Sequence, residues 1–225
     1  MRLKLQTQIT LLTILISACS QKKTEEDYAN IETIRPASKG WFKLSNNKKI
    51  KRYFRNGDQV YCGEVQFNDH PMKNVDTASF EVYLGSEYAR DKNRVYYPLQ
   101  IACVDGKNWG VCYCTDYIIK NADPQTFKYL GNEYASDKNS AFYFGNVIKN
   151  SDGQSFRIIN GSESLRFAVD KNKVYFGDEI FEGADPETFQ YDHSNPLNDT
   201  IRNFILKDKN HVWKFNPPTQ IIVIK

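Results

Sequence analysis

The chain has 225 residues, 40% of them hydrophobic and 25% charged, which is room for one sizeable domain or two small ones of ordinary soluble composition. Setting aside a leader that carries Arg2 and Lys4 leaves 28 basic against 27 acidic residues, a net +1, so there is no electrostatic case for a nucleic-acid partner. Tyr and Phe, 14 of each, outnumber the 2 Met, and aromatic residues favour strands, so the composition leans toward β structure.

The first 18 residues read as a leader. Arg2 and Lys4 form a basic start, and Ile9 to Ile16 form an apolar run too short to span a bilayer. The run ends in Ile16-Ser17-Ala18-Cys19, which resembles the bacterial lipobox: an aliphatic residue, two small residues, then the Cys that is acylated and becomes the new N-terminus. This predicts a signal peptide over 1–18, palmitate-type acylation of Cys19 and a membrane anchor through that lipid. Ser20, which is not Asp, implies by the same resemblance an outer-membrane address facing the periplasm. Residues 19–40 are polar and unpatterned, and they predict a flexible tether, with a short helix around "TEEDYANIETI" as the alternative.

Export makes the other cysteines candidates for disulfides. Cys103 and Cys112 lie on opposite arms of a predicted hairpin turning at Gly106-Lys107-Asn108. Cys114 follows Cys112 by two residues, on the same strand face, where bonding between those two would strain an extended chain. The favoured pairing is Cys103–Cys112 with Cys62–Cys114. A metal cluster built on "CYC" lacks the usual CxxC spacing and suitably placed His, so no metal and no cofactor are expected.

From residue 56 a pattern recurs. "DKNRVYY" at 91–97 returns as "DKNSAFYF" from Asp137, "DKNKVYF" from Asp170 and, degraded, "DKNHVWKF" from Asp208. A second element precedes each: "VDTASF" from Val75, "ADPQTF" from Ala122, "SDGQSF" from Ser151 and "ADPETF" from Ala184. "NGDQVYCGE" at 56–64 looks like another copy, and the insertion at 98–110 like a decayed one. Periods of this size signal a repeat architecture in which single units cannot bury an apolar face alone.

The tripeptide is turn chemistry. Asp91, Asp137, Asp170 and Asp208 can accept from N–H groups just ahead, and Asn93, Asn139, Asn172 and Asn210 tolerate the left-handed conformation of a tight turn. The following aromatic runs are strands; alternation places Val174 and Phe176 on one face and Tyr175 on the other. "ADPETF" reads as one helical turn with Asp185 as N-cap and Pro186 at its first position. "TQIIVIK", Thr219–Lys225, reads as a last strand in need of a partner.

These residues carry a resemblance. "DKNRVYY", recurring with its "ADPxTF" companion over about residues 56–215, resembles the signature of the DKNYY repeat family of small exported bacterial proteins, many of them lipoproteins. The last copy departs from it at His211, Trp213 and Lys214, as a capping unit would. The resemblance implies an exported compartment and brings no biochemical activity with it.

The residues admit three chemical readings. Asp-x-Asn offers a calcium ion two of its oxygen ligands, but Arg94, Ser140, Lys173 or His211 stands where a third would be needed, so a structural turn is the better reading. His70, His193 and His211 are far apart and no HExxH, GxSxG or phosphate loop occurs; Asp123 and Asp185 could imitate paired catalytic carboxylates but sit at caps. Tyr96, Tyr143, Tyr175, Trp41, Trp109 and Trp213 could line a recognition face. The expectation is therefore an all-β domain over 41–225, built of antiparallel β-hairpin and meander repeats with single helical turns between units. Its expected role is a non-catalytic binding module in the cell envelope whose partner is another protein. An immunity protein neutralising a periplasm-delivered toxin and an envelope glycan-active enzyme are the alternatives.

Overall fold

The computed structural model describes residues 30–35, 37–65, 70–104, 111–159, 166–192, 204–216 and 220–224. The chain begins with β1 (Glu32–Thr33), β2 (Gly40–Lys43), β3 (Lys48–Ile50), β4 (Tyr53–Asn56) and β5 (Gln59–Cys62). β1, β3, β4 and β5 make the first sheet. β2 leaves it for the second, which continues with β6 (Glu81–Leu84), β7 (Ala89–Arg90), β8 (Val95–Val104) and β9 (Val111–Ile118). Three four-stranded meanders follow. They are β10 (Lys128–Gly131) to β11 (Tyr134–Ser136), β12 (Ala141–Tyr143) and β13 (Asn146–Val147); β14 (Arg157–Ile158) to β15 (Phe167–Val169), β16 (Val174–Phe176) and β17 (Glu179–Ile180); and β18 (Gln190–Tyr191) to β19 (Phe204–Lys207), β20 (Val212–Asn216) and β21 (Gln220–Val223).

The strands are short, so no sheet could stand alone. Their alternating apolar residues solve this by facing both neighbours. Tyr175 packs with Tyr134, Phe156 and Ala168 against the third sheet, while Val174 and Phe176 pack with Phe167, Trp213 and Phe215 against the fifth. Tyr53, Val82 and Tyr96 share the core between sheets one and two, and Val95, Ala135 and Phe142 that between two and three. Consecutive sheets are thus stacked face to face with an apolar layer in each gap, and both faces of the inner sheets are core. The outer face of the first sheet carries the stacked pair Phe54 and Tyr61, covered by Ile31 and Val65.

Tyrosine hydroxyls tie the layers together. Tyr53 donates to the carbonyl of Glu87 at 2.9 Å and Tyr134 to that of Arg166 at 2.7 Å, each reaching into the next sheet.

Three expectations need correction. The tether ends earlier than residue 40, because β1 lies inside it and pairs in parallel with β3 (Glu32 opposite Lys48), the single parallel pair in an otherwise antiparallel set of described ladders. At Glu32–Thr33 the strand replaces the helix alternative, and the partly buried Ile34 packs on the core that follows; residues 24–29 of that alternative lie outside the described residues. The insertion at 98–110 is not a decayed repeat: it lengthens one hairpin, making β8 ten residues where β12 and β16 have three. Register shifts between Tyr96 and Ile101 bend that hairpin, and β9 reaches the first sheet, where Tyr113 bridges Gly63. The expected single helical turn is seen after Asp185, where Phe189 N–H donates to the Asp185 carbonyl at 2.9 Å, one α-type ring that does not continue. Cys19 and the 1–18 leader lie outside the described residues.

Candidate functional site

The repeat aspartates are the most regular polar feature, and all four do the same thing. Asp91 Oδ1 accepts from the N–H groups of Asn93 (2.7 Å) and Arg94 (2.8 Å). Its Oδ2 accepts from Asp76 N–H and from the Tyr96 hydroxyl, both at 2.7 Å. Asp170 repeats all four bonds, with Asn172, Lys173, Asp152 and Tyr175 as donors. Asp137 and Asp208 repeat the three backbone bonds, to Asp123 and Asp185 N–H on the far side. Each carboxylate therefore closes its own turn and also clamps the loop that opens the same unit.

The Lys and the loop complete the clamp. Lys92 N–H donates to Ser79 Oγ while its ammonium lies 2.7 Å from Asp76. Lys138, Lys171 and Lys209 meet Asp123, Asp152 and Asp185 in the same way, at 2.7, 2.7 and 2.8 Å. These ion pairs, with the Ser79 and Ser155 hydroxyls beside them, draw Asp76 and Asp152 down to about 2. Burial pushes Asp208 up, but the N–H groups of Asp185, Asn210 and His211 outweigh it and the net direction is down.

The expected left-handed Asn is elsewhere. Asn93, Asn139, Asn172 and Asn210 are not among the positive-φ residues; Asn74, Asn121 and Asn150 are, with Gly183 in the fourth unit. They stand two residues before Asp76, Asp123, Asp152 and Asp185, where the chain turns into the clamped loop. The carboxylate organises the tripeptide's N–H groups without a left-handed residue, so the strain falls one loop earlier. The recurrence of Asn or Gly at that spacing was visible in the sequence and marks it.

Cysteines, histidines and rings each have a definite place. Disulfides join Cys62 to Cys114 and Cys103 to Cys112. The first is buried and fastens β9 across to β5; the second bonds residues directly opposite in the β8–β9 ladder. His70 stacks on Tyr113 with ring centroids 4.0 Å apart, and His211 lies 3.5 Å from Asp208, while His193 and Trp109 fall outside the described residues. Tyr96 and Tyr175, expected as possible face residues, are fully buried with their hydroxyls spent on Asp91 and Asp170. Trp213 is buried as well. Tyr143 is half-buried against Tyr134, and Trp41 is half-buried beside Tyr83 with the Arg90 guanidinium 4.2 Å above its ring. They are core residues because the sheets are covered on both faces.

Two further features could take part in recognition. Glu87, Glu133 and Arg166 stand four before Asp91, Asp137 and Asp170, and Arg52 stands four before Asn56 at the matching place of the first sheet, so the stack carries a charged row along one side. Within it, burial raises Glu133 above the usual carboxylate range, with the Tyr97 hydroxyl at 3.4 Å opposing and the Glu87 charge adding. Glu87 in turn lies 3.8 Å from Arg52. An open pocket of about 340 Å³ lies beside the β4–β5 turn, with Val60 and Met72 as floor and Asp58, His70 and Lys73 on its rim. Among the described residues no group of three or more His, Cys, Asp or Glu is placed to hold a metal ion, and no helix is long and apolar enough to cross a membrane. The carboxylates of the four repeat aspartates do not gather around a common point; each is satisfied within its own unit.

A family model described as the DKNYY family matches residues 4–100, 106–167 and 142–220. No curated protein and no solved structure matches the chain.

Proposed function

The chain belongs to the DKNYY family, and from that premise we propose that it is a non-catalytic binding module of the cell envelope, held to a membrane by a lipid on Cys19 and acting on another protein. The observation that carries this reading is the use to which the repeat chemistry is put. The four clamp carboxylates bind N–H groups of their own backbone, and buried tyrosine hydroxyls bind carbonyls of the next layer. Groups committed in this way stiffen a scaffold and are unavailable for proton transfer. A stiff stack on a lipid anchor suits recognition, because anchoring raises local concentration without loosening the binding face.

The test is affinity capture from detergent-solubilised envelopes of cells making the full chain or its Cys19→Ala variant. The reading expects membrane fractionation that depends on Cys19, and a saturable protein partner that survives dilution. A single tight partner that is itself toxic would specify an immunity role. Turnover of cell-wall glycan by the purified full chain, lost in Glu87→Gln or Glu133→Gln, would overturn the non-catalytic reading.

A further inference from the structure

The outermost strand of each unit presents one aliphatic residue at the same place. Directly across the ladder from Tyr96, Phe142, Tyr175 and Trp213, each five residues after its clamp Asp, stand Ile118, Val147, Ile180 and Val223. In the first sheet Tyr61 bridges Pro71 in the same sense. The aromatic partner is buried in every case, yet Val147, Ile180 and Val223 are 44%, 38% and 58% exposed, and Ile118 is half-buried. Phe144, 41% exposed, lies in the turn beside Val147. Face-packed sheets lie about 10 Å apart, so this is a ridge of aliphatic side chains stepping about 10 Å per layer along one flank of the stack.

The step selects an occupant. An α-helix advances about 10.5 Å in seven residues, so a heptad apolar stripe keeps pace with the ridge. The charges beside the ridge set its direction. Exposed Lys120 and Lys149 follow Ile118 and Val147 by two residues, whereas exposed Asp178, Glu179 and Glu182 surround Ile180. An anionic lipid surface fits poorly, because three acidic groups sit at the middle of the ridge. Among the described residues the chain has no helix, so the described part of a second copy does not supply the occupant.

We propose that this ridge is the docking site for one amphipathic helix of a partner protein. Its apolar residues are spaced in heptads, its acidic end lies over Lys120 and Lys149, and its basic end lies over Asp178, Glu179 and Glu182. The proposal rests on the binding-module reading and names the kind of partner that module takes.

The probe is a synthetic helical peptide of about 22 residues with Leu at heptad positions, Glu in its first half and Lys in its second, titrated against the full chain by fluorescence anisotropy. Saturable binding is expected, weakened about tenfold or more by Ile180→Glu and by Val147→Glu, as for loss of a central anchor. Unfolding midpoints should stay close to the parent value, because both side chains are substantially exposed. The paired change Glu179→Lys with Glu182→Lys should weaken binding of this peptide about tenfold or more, because its basic half then faces lysines while Lys120 and Lys149 still face its acidic half. Three results would overturn the proposal: no binding of the peptide, binding that ignores the ridge and charge variants, or binding to anionic vesicles with none to peptide. If a partner is captured from the envelope equally by the parent and by Ile180→Glu, the ridge is wrong and the module reading stands.

Discussion

The Tyr88 hydroxyl donates a hydrogen bond to the backbone carbonyl of Glu133 at 3.1 Å, across 45 positions of sequence. Tyr88 stands three residues before Asp91 and Glu133 four before Asp137, and Tyr53 to Glu87 and Tyr134 to Arg166 have the same relation between successive units. The hydroxyl also accepts from Gly145 N–H at 3.0 Å, so its loss leaves that buried N–H without its acceptor, while the Glu133 carbonyl keeps the Phe144 N–H at 3.2 Å. Tyr88→Phe should therefore cost about 1–3 kcal/mol despite keeping the ring. The unit of Phe167, which has no hydroxyl, ends the series; Phe167→Leu should lose packing energy without a hydrogen-bond component. Urea unfolding of the variants measures both, and an unchanged midpoint in Tyr88→Phe would show the ladder to be incidental.

Asp170 carries four hydrogen bonds and Asp137 three, the difference being the Tyr175 hydroxyl against Phe142. Replacing either by Asn turns one acceptor oxygen into a donor that faces N–H groups, which should cost about 2–4 kcal/mol for a buried charge-assisted set. Tyr175→Phe should cost about 1 kcal/mol in the parent and markedly less in an Asp170→Asn background, because the two changes share a bond. A double-mutant cycle in urea reads the coupling; strict additivity would mean the hydroxyl bond contributes nothing.

Much of this was legible in the residues, and what was not has a common cause. The Asp-Lys-Asn turns, the alternation of Val174, Tyr175 and Phe176 and the two-residue offset of Cys112 and Cys114 are local patterns, and local geometry decides them. That Tyr96 and Tyr175 are buried is not local: a residue on the second face of a strand looks exposed until another sheet lies on it. The reach of Asp91 to Asp76, fifteen residues back, is invisible in a tripeptide read as a turn, although the pairing of the two motifs in every unit was its trace. The bent β8–β9 hairpin imitates a repeat in composition because it uses the same Asp, Asn and aromatic turn vocabulary. The ridge at Val147, Ile180 and Val223 needs strand register before its equivalence appears.

Acid should unfold the stack in a defined window. Lys92 and Lys171 hold Asp76 and Asp152 at about 2, and Lys138 and Lys209 draw Asp123 and Asp185 down too, against about 3.9 for an unfolded Asp. A folded value below the unfolded one gives stability that is fully present above about pH 4 and is lost as pH falls toward 2. Glu133 runs the other way: its raised value favours the fold while protonated, and that contribution is lost as pH rises through it. The downward groups are more numerous, so urea midpoints should be level between about pH 5 and 7 and fall between about pH 4 and 2. Asp152→Asn should flatten part of that fall, and a midpoint that rises in acid would contradict the assignment.

The Cys62–Cys114 bond closes 52 residues and the Cys103–Cys112 bond 9. On chain entropy alone their removal costs about 4 and about 2.5 kcal/mol. Their positions separate them further. Cys62 belongs to β5 of the first sheet, whose turn Asn56-Gly57-Asp58 has Gly57 where the other units have Lys and is tied to the preceding loop by the Gly57 N–H on Asn46 Oδ1 at 2.7 Å, so β9 and its disulfide add a fastening where the Lys–Asp ion pair of the other units is replaced. Replacing both Cys62 and Cys114 by Ala should therefore loosen the first unit before the rest. Amide exchange in β3 to β5 should rise well above that in β15 and β16, whose clamp at Asp170 is untouched. Replacing Cys103 and Cys112 should instead leave exchange in β3 to β5 near the parent level, because that bond lies within one hairpin. Equal acceleration in all five sheets would show that the stack unfolds as one cooperative unit and that the strap adds stability without protecting its own end.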